Sequence, residues 1–152
     1  MNADSHAPTP AKESLGVLLC LVRGEIVRAM EAELTVHGSN LRFTQFLIIK
    51  RLARLGPMGA GELARSVDLD GGAMTRQLDQ LEHRGYLRRC PHAQDRRTLR
   101  IELTPAGNTL WQQLADCQQR VLKTAQRELN ATERAQLHDH LERVLHALRN
   151  KS

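Results

Sequence analysis

The run from Glu62 to Leu103 constrains this chain more than any other. Its opening residues place Leu63, Ala64 and Val67 at helical spacing, and Asp68 to Gly72 interrupts that pattern. Two adjacent glycines are poor helix interior but suit a turn or the first turn of a new helix. Asp70 is placed to cap that helix, its carboxylate accepting from unpaired first-turn amides. A second apolar stripe follows in Met74, Leu78 and Leu81, at i, i+4 and i+7. Gly85 then ends it as a terminal glycine. The pattern predicts helix, turn, helix. Beyond it, Thr98 to Leu103 alternates strictly, with Leu99, Ile101 and Leu103 on one face. Tyr86 to Cys90 is the predicted partner strand, and the polar stretch Pro91 to Arg97 between them carries the turn residues Pro91 and Asp95.

The side chains left outside the second stripe are Ala73, Thr75, Arg76, Gln77 and Gln80, with Gly72 in the first turn. Small, hydrogen-bonding and guanidinium groups are what base edges in a major groove require. An ordinary solvated helix face would look similar, so the hairpin matters. Its tip holds Asp95, Arg96 and Arg97, and arginines on a thin projection suit the concentrated negative potential of a narrow minor groove. Arg88, Arg89 and Arg100 read as phosphate contacts or plain surface charges. The charge distribution agrees with a polyanion partner. The chain carries a net +5, and from Leu41 to Arg100 twelve Lys and Arg face six Asp and Glu, leaving the remainder nearly neutral.

These residues resemble the MarR-type (multiple antibiotic resistance regulator) winged-helix transcription factors. The likeness is carried, in order, by Glu62–Ala64, Asp70–Arg76, Leu78–Glu82, Arg84–Arg89, Asp95–Arg97 and Leu103–Gly107. No single one of these pieces is specific; the ordered set is. The resemblance implies that Asp95 holds Arg97 for the minor groove. It also implies that the terminal helices of two subunits interlock into a homodimer. Many relatives are released from DNA by small aromatic acids or phenols bound between the dimer helices and the winged region. Matching positions here are Met30, His37, Arg42, Phe43, Phe46 and Trp111, although Phe46 and Trp111 also read as plain core.

The rest of the chain fits this plan. Aromatic residues make up only 3% of the 152 residues, so aliphatic side chains must fill the core. Residues 1–12 form an expected disordered tail without the basic and apolar regions of a secretory signal. Ser14 to about His37 is a long helix with Leu15, Leu18, Leu19, Val22, Ile26, Met30 and Leu34 in register, widened by Leu21, Val27 and Ala29. So broad an apolar surface calls for a second partner, such as another subunit. Thr44 is the expected cap of a second helix, Gln45 to Leu55, with Phe46, Leu47, Ile49, Leu52 and Leu55 inward. Gly56 to Gly59 reads as a turn. Thr104 and Pro105 restart helix as cap and first residue, for a run of about 25 residues ending near Leu129. Asn130 and Glu133 form a capping-box signature before a last helix bearing Leu137, Leu141, Val144, Leu145 and Leu148. The expected organisation is dimerisation helices at 13–38 and 105–150 around a winged helix-turn-helix region at 41–104. The fold class is mainly α with a small β-hairpin wing.

Three cysteines, Cys20, Cys90 and Cys117, lack the close pairing of a disulfide scaffold or zinc ribbon and fit a reducing, cytoplasmic setting. Cys20 lies near where the organic-hydroperoxide-sensing branch of the family keeps its reactive thiol. The tyrosines that help hold that thiol have no counterpart, since the only tyrosine is Tyr86. A buried, inert thiol is the plainer reading of Cys20. His138 and His140, two apart on a helix, point to different sides and cannot chelate one ion alone, and no metal or cofactor is expected. Gly56, Gly59 and Gly61 lack the strand before and the Lys-Ser/Thr after that a phosphate loop requires. The expected function is therefore not enzymatic. It is a homodimeric repressor that binds a pseudo-palindromic double-stranded operator, is released by a small aromatic ligand, and has no membrane partner. Peroxide control through Cys20 is the alternative.

Overall fold

Seven helices and one antiparallel hairpin make up the described part of the chain, residues 12–150 of a computed structural model. They run α1 (Leu15–Val36), α2 (Phe43–Leu55), α3 (Ala60–Val67), α4 (Gly71–His83), β1 (Leu87–Pro91), β2 (Leu99–Leu103), α5 (Pro105–Leu114), α6 (Cys117–Ala125) and α7 (Ala131–Arg149). This is the mainly helical class with a small wing that the periodicities predict. The tail expected over 1–12 lies, except for Lys12, outside the described residues.

Local signals set most boundaries. The side chains of Ser14, Asp70, Thr104 and Asn130 each accept a first-turn amide of the helix they precede. At α7 the box is complete, since Glu133 accepts from the Asn130 amide at 2.8 Å while Asn130 accepts from the Glu133 amide at 2.9 Å. The expected Thr44 cap of α2 does not form. The helix begins at Phe43, one residue before Thr44, because its orphan amides find other acceptors. Glu31 of α1 accepts from the Phe43 amide at 3.1 Å and Gln45 accepts from the Arg42 amide at 3.2 Å.

The single long helix expected after Pro105 is interrupted at Ala115–Asp116. Both residues keep right-handed backbone angles, so this is a bend without a glycine or proline. It lets Leu114 on one side and Cys117 on the other both bury completely.

The core is continuous from α1 to the wing. It contains Met30 and Leu34 of α1, Phe46, Ile48, Ile49 and Leu52 of α2, Leu63 of α3, and Met74, Leu78 and Leu81 of α4. Leu41, Met58, Ala64, Leu87, Ile101, Leu114, Cys117 and Val121 complete it. Burying the larger of these side chains contributes about 1.5–3 kcal/mol each. Adjacent Ile48 and Ile49 are both buried because α2 is flanked by α1, α3, α4, α5 and β2. Leu55, expected inward, is 65% exposed at the last position of α2.

β1 sits one residue later than expected, whereas β2 begins at Leu99 rather than Thr98 and ends at Leu103 as expected. Leu87 pairs with Leu103, Arg89 with Ile101 and Pro91 with Leu99. Leu99 is 50% exposed, so only the inner end of the apolar face is covered. Met58, expected in a turn, instead bridges β2, with paired hydrogen bonds to Ile101 of 3.1 and 2.8 Å.

Two apolar surfaces have no cover among the described residues. In the first half of α1, Leu15, Val17, Leu18, Leu19, Leu21 and Val22 are exposed. No residue of α7 is buried, and Leu137, Leu141, Val144, Leu145 and Leu148 lie open along it. No described helix is long and apolar enough to cross a membrane.

Candidate nucleic-acid interface

The helix-turn-helix is built from both ends of α4. At its start, Asp70 Oδ1 accepts from the Ala73 amide at 2.8 Å, fixing the turn after α3. At its end Gly85, with φ of 79°, adopts the left-handed conformation that reverses the chain into β1. Met74, Leu78 and Leu81 pin the inner face. Gly72, Thr75 and Arg76 are exposed, and Ala73 is half-buried. The Thr75 hydroxyl donates to the Gly71 carbonyl at 2.9 Å, and its oxygen remains able to accept. Gln77 is less available than its helical position suggests. It is half-buried, and its Oε1 is enclosed without a hydrogen-bond partner among the described residues. Gln80 is engaged, accepting from Gln45 of α2 at 2.8 Å.

The wing arginines divide into two groups. Arg89 of β1 shares a strand face with Ile101 and turns onto α4. Its guanidinium donates to Asp79 and Glu82, each at 2.7 Å. Arg88 donates to Glu102 across the hairpin at 2.6 Å, and Arg100 donates to the Pro57 carbonyl before α3. These three read in sequence as phosphate contacts or plain surface charges, but each has a partner within the fold: Arg89 ties the wing to α4, Arg100 ties it to the loop before α3, and Arg88 joins the two strands. Arg96 and Arg97 at the tip are exposed and have no side-chain partner among the described residues, as is true of Arg76.

Asp95 organises the tip through one backbone donor and one side-chain donor. Oδ1 accepts from the Arg97 amide at 3.0 Å and Oδ2 from the Thr98 hydroxyl at 3.0 Å. These donors hold its carboxyl below the usual carboxylate range, with the Arg97 amide contributing most. The aspartate therefore fixes the chain on which Arg97 stands and leaves the guanidinium free.

The positions singled out for an aromatic ligand have varied surroundings. Met30 and Phe46 are fully buried, Phe46 with its ring 6.0 Å from half-buried Trp111 and tilted by 45°. Arg42 faces Glu31 at 3.5 Å, and His37 turns toward Arg120 of α6 at 2.9 Å. They do not share one open surface. Cys20 is exposed on α1 and Cys117 is buried, reversing the sequence expectation for Cys20. Cys90 donates to Glu102 at 3.3 Å, which raises its thiol pKa.

The fold and this face define a winged helix-turn-helix protein, with a capped recognition helix and an arginine-tipped hairpin. Residues 41–99 match the family model for MarR. Over these residues the chain is similar to the MarR family. It is 32% identical to the transcriptional regulator SarZ of Staphylococcus haemolyticus over 90 residues, 59% of this chain and 60% of the relative. The matched part thus spans less than two thirds of that relative. Identity to the transcriptional repressor MprA of Escherichia coli is 26% over 147 residues, 96% of this chain and 84% of the other. A cysteine-to-serine mutant of Escherichia coli MarR, solved with operator DNA, superposes with a TM-score of 0.77 at 27% identity. That match covers 86% of this chain and 93% of that one.

Proposed function

We propose that this chain is a cytoplasmic, homodimeric transcriptional repressor that binds a pseudo-palindromic double-stranded DNA site and is released by a small aromatic acid or phenol. One observation carries the DNA part. The same wing that commits Arg88, Arg89 and Arg100 internally leaves Arg96 and Arg97 without a side-chain partner among the described residues, as is Arg76 on the exposed face of α4. Arginines already paired within the fold are less free to serve phosphates than exposed ones on a fixed turn. Gly72, Ala73, Thr75, Arg76 and Gln77 would face the major groove, and Asp95, Arg96 and Arg97 the minor groove.

The homodimer is supported by the bare apolar faces of α1 and α7, which bracket the winged region in sequence. A twofold pair would set two recognition helices about 34 Å apart, one turn of duplex. The aromatic-ligand part rests on the family likeness. A ligand seated among Met30, His37, Arg42, Phe46 and Trp111 would have to open that packing, and by doing so would alter the spacing of the two helices.

Fluorescence anisotropy with the DNA flanking its own coding sequence tests the reading. Saturable binding at low salt that is competed poorly by unrelated duplex supports it, and equal affinity for both duplexes overturns it. A second reading, peroxide control through Cys20, has in its favour the exposure of that thiol. Peroxide should then abolish DNA binding in the wild type but not in Cys20→Ser; an unresponsive wild type ends it.

A further inference from the structure

Three side chains from distant parts of the sequence converge where the end of α1 meets the start of α6. A carboxylate oxygen of Glu33, a ring nitrogen of His37 and the sulfur of Cys117 lie within 4.8 Å of one another. None of them belongs to the recognition helix or wing. The space between them holds a cation already, the Arg120 guanidinium. It donates to Glu33 through Nε and to Cys117 Sγ at 3.3 Å, and stands 2.9 Å from His37 Nε2.

We infer that Glu33, His37 and Cys117 form a site for a divalent transition-metal ion of the zinc type, which takes the position that Arg120 occupies. The donor chemistry selects the ion. One carboxylate, one imidazole and one thiolate are a mixed oxygen, nitrogen and sulfur set, which suits zinc and is poor for magnesium or calcium.

The imidazole is already arranged as a ligand. His37 Nδ1 lies 3.0 Å from the Glu33 backbone carbonyl. The tautomer that satisfies both contacts puts the proton on Nδ1, donating to that carbonyl, and leaves the Nε2 lone pair facing Arg120. A backbone acceptor on the far nitrogen is the usual outer support of a metal-bound histidine. Donors around a four-coordinate zinc stand roughly 3.3–3.8 Å apart, given bond lengths of about 2.0–2.3 Å. The three groups therefore need to close by about 1 Å, within the reach of side-chain rotation once the guanidinium leaves.

Access is from the Arg120 side. The Arg120 and His37 side chains are partly exposed, whereas Cys117 is covered. On binding, three metal–ligand bonds form, the Cys117 thiol gives its proton to the buffer, and water fills the fourth position. The ion would replace Arg120 as the tie between α1 and α6.

Cobalt(II) reports the site, because thiolate ligation gives a charge-transfer absorption in the near ultraviolet. Stoichiometric cobalt added to the purified full chain should produce that band, and zinc should bleach it. The band should vanish in Cys117→Ser and persist in Cys20→Ser and Cys90→Ser. His37→Gln, at an exposed position, should weaken cobalt binding by about tenfold or more. Arg120→Gln should strengthen it, since the competing cation is gone. Absence of the band in the wild type overturns the proposal, and so does a band that survives Cys117→Ser. Should Cys117→Ser unfold by circular dichroism, His37→Gln decides: unchanged cobalt affinity there also overturns it.

Discussion

Glu82 on the recognition helix accepts twice from Arg89 on the first wing strand, from its guanidinium at 2.7 Å and from its backbone amide at 3.1 Å. One carboxylate thus fixes both where the strand begins its course and where its side chain points. Asp79 takes the remaining guanidinium edge. Arg89 is mostly covered, so these are charge-assisted bonds in a partly desolvated place. Arg89→Ala is expected to lower unfolding stability by about 1–2 kcal/mol in urea titration. A double-mutant cycle with Glu82→Ala should return a coupling of at least about 0.5 kcal/mol. Additivity of the two changes would show the contact to be energetically idle.

The free arginines are expected to behave differently. On the DNA-binding reading, Arg97→Ala should leave unfolding unchanged, weaken binding to all duplexes alike, and reduce the salt slope by about one. Arg76→Ala should cost about 1–3 kcal/mol on the preferred site and relax sequence preference. Anisotropy titrations at several salt concentrations separate the two. Equal losses on specific and unrelated DNA for Arg76→Ala would remove it from base reading.

Asp95 gives a pH expectation. Its carboxyl is held below its ordinary value by the Arg97 amide and the Thr98 hydroxyl. A depressed folded value means that its contribution is full above the unfolded pKa and fades as pH falls through the folded one. The tip should therefore keep its shape at neutral pH and loosen only in acid, below the range where ordinary aspartates protonate. Carbon-detected NMR titration of the Asp95 carboxyl should give a midpoint below that of an unstructured aspartate. A midpoint at or above it would contradict the hydrogen bonding described.

Gly107 supplies a packing test. A Cβ there would collide with the Tyr86 backbone carbonyl, which also accepts from the Thr104 amide at 3.1 Å. Neither side can yield without moving the junction of wing and α5. Gly107→Ala should destabilise by at least about 2 kcal/mol, the range of core overpacking. A melting temperature equal to the wild type's would mean that the junction gives way easily.

What could be read from the residues alone follows a physical line. Asp70, Gly85, Thr104 and Asn130 act on backbone groups within a few residues, so the starts of α4, α5 and α7 and the end of α4 were legible. The stripe Met74, Leu78, Leu81 named the buried face because helical period is intrinsic. The start of α2 was not legible, because Glu31, twelve residues away, caps Phe43. The bend at Ala115–Asp116 has no breaker residue and answers only to the need to bury Leu114 and Cys117. The internal pairing of Arg89 and the meeting of Glu33, His37 and Cys117 depend on tertiary placement. The family resemblance assigned His37 to a ligand crevice but could not foresee Arg120 beside it.

The bridge between Met58 and Ile101, reinforced by Arg100 on the Pro57 carbonyl, roots the hairpin in the loop ahead of α3 as well as in α4. Anchored at two points, the finger has no hinge of its own. Any message that reaches it has to carry helix and finger together, as a vernier slides without changing its scale.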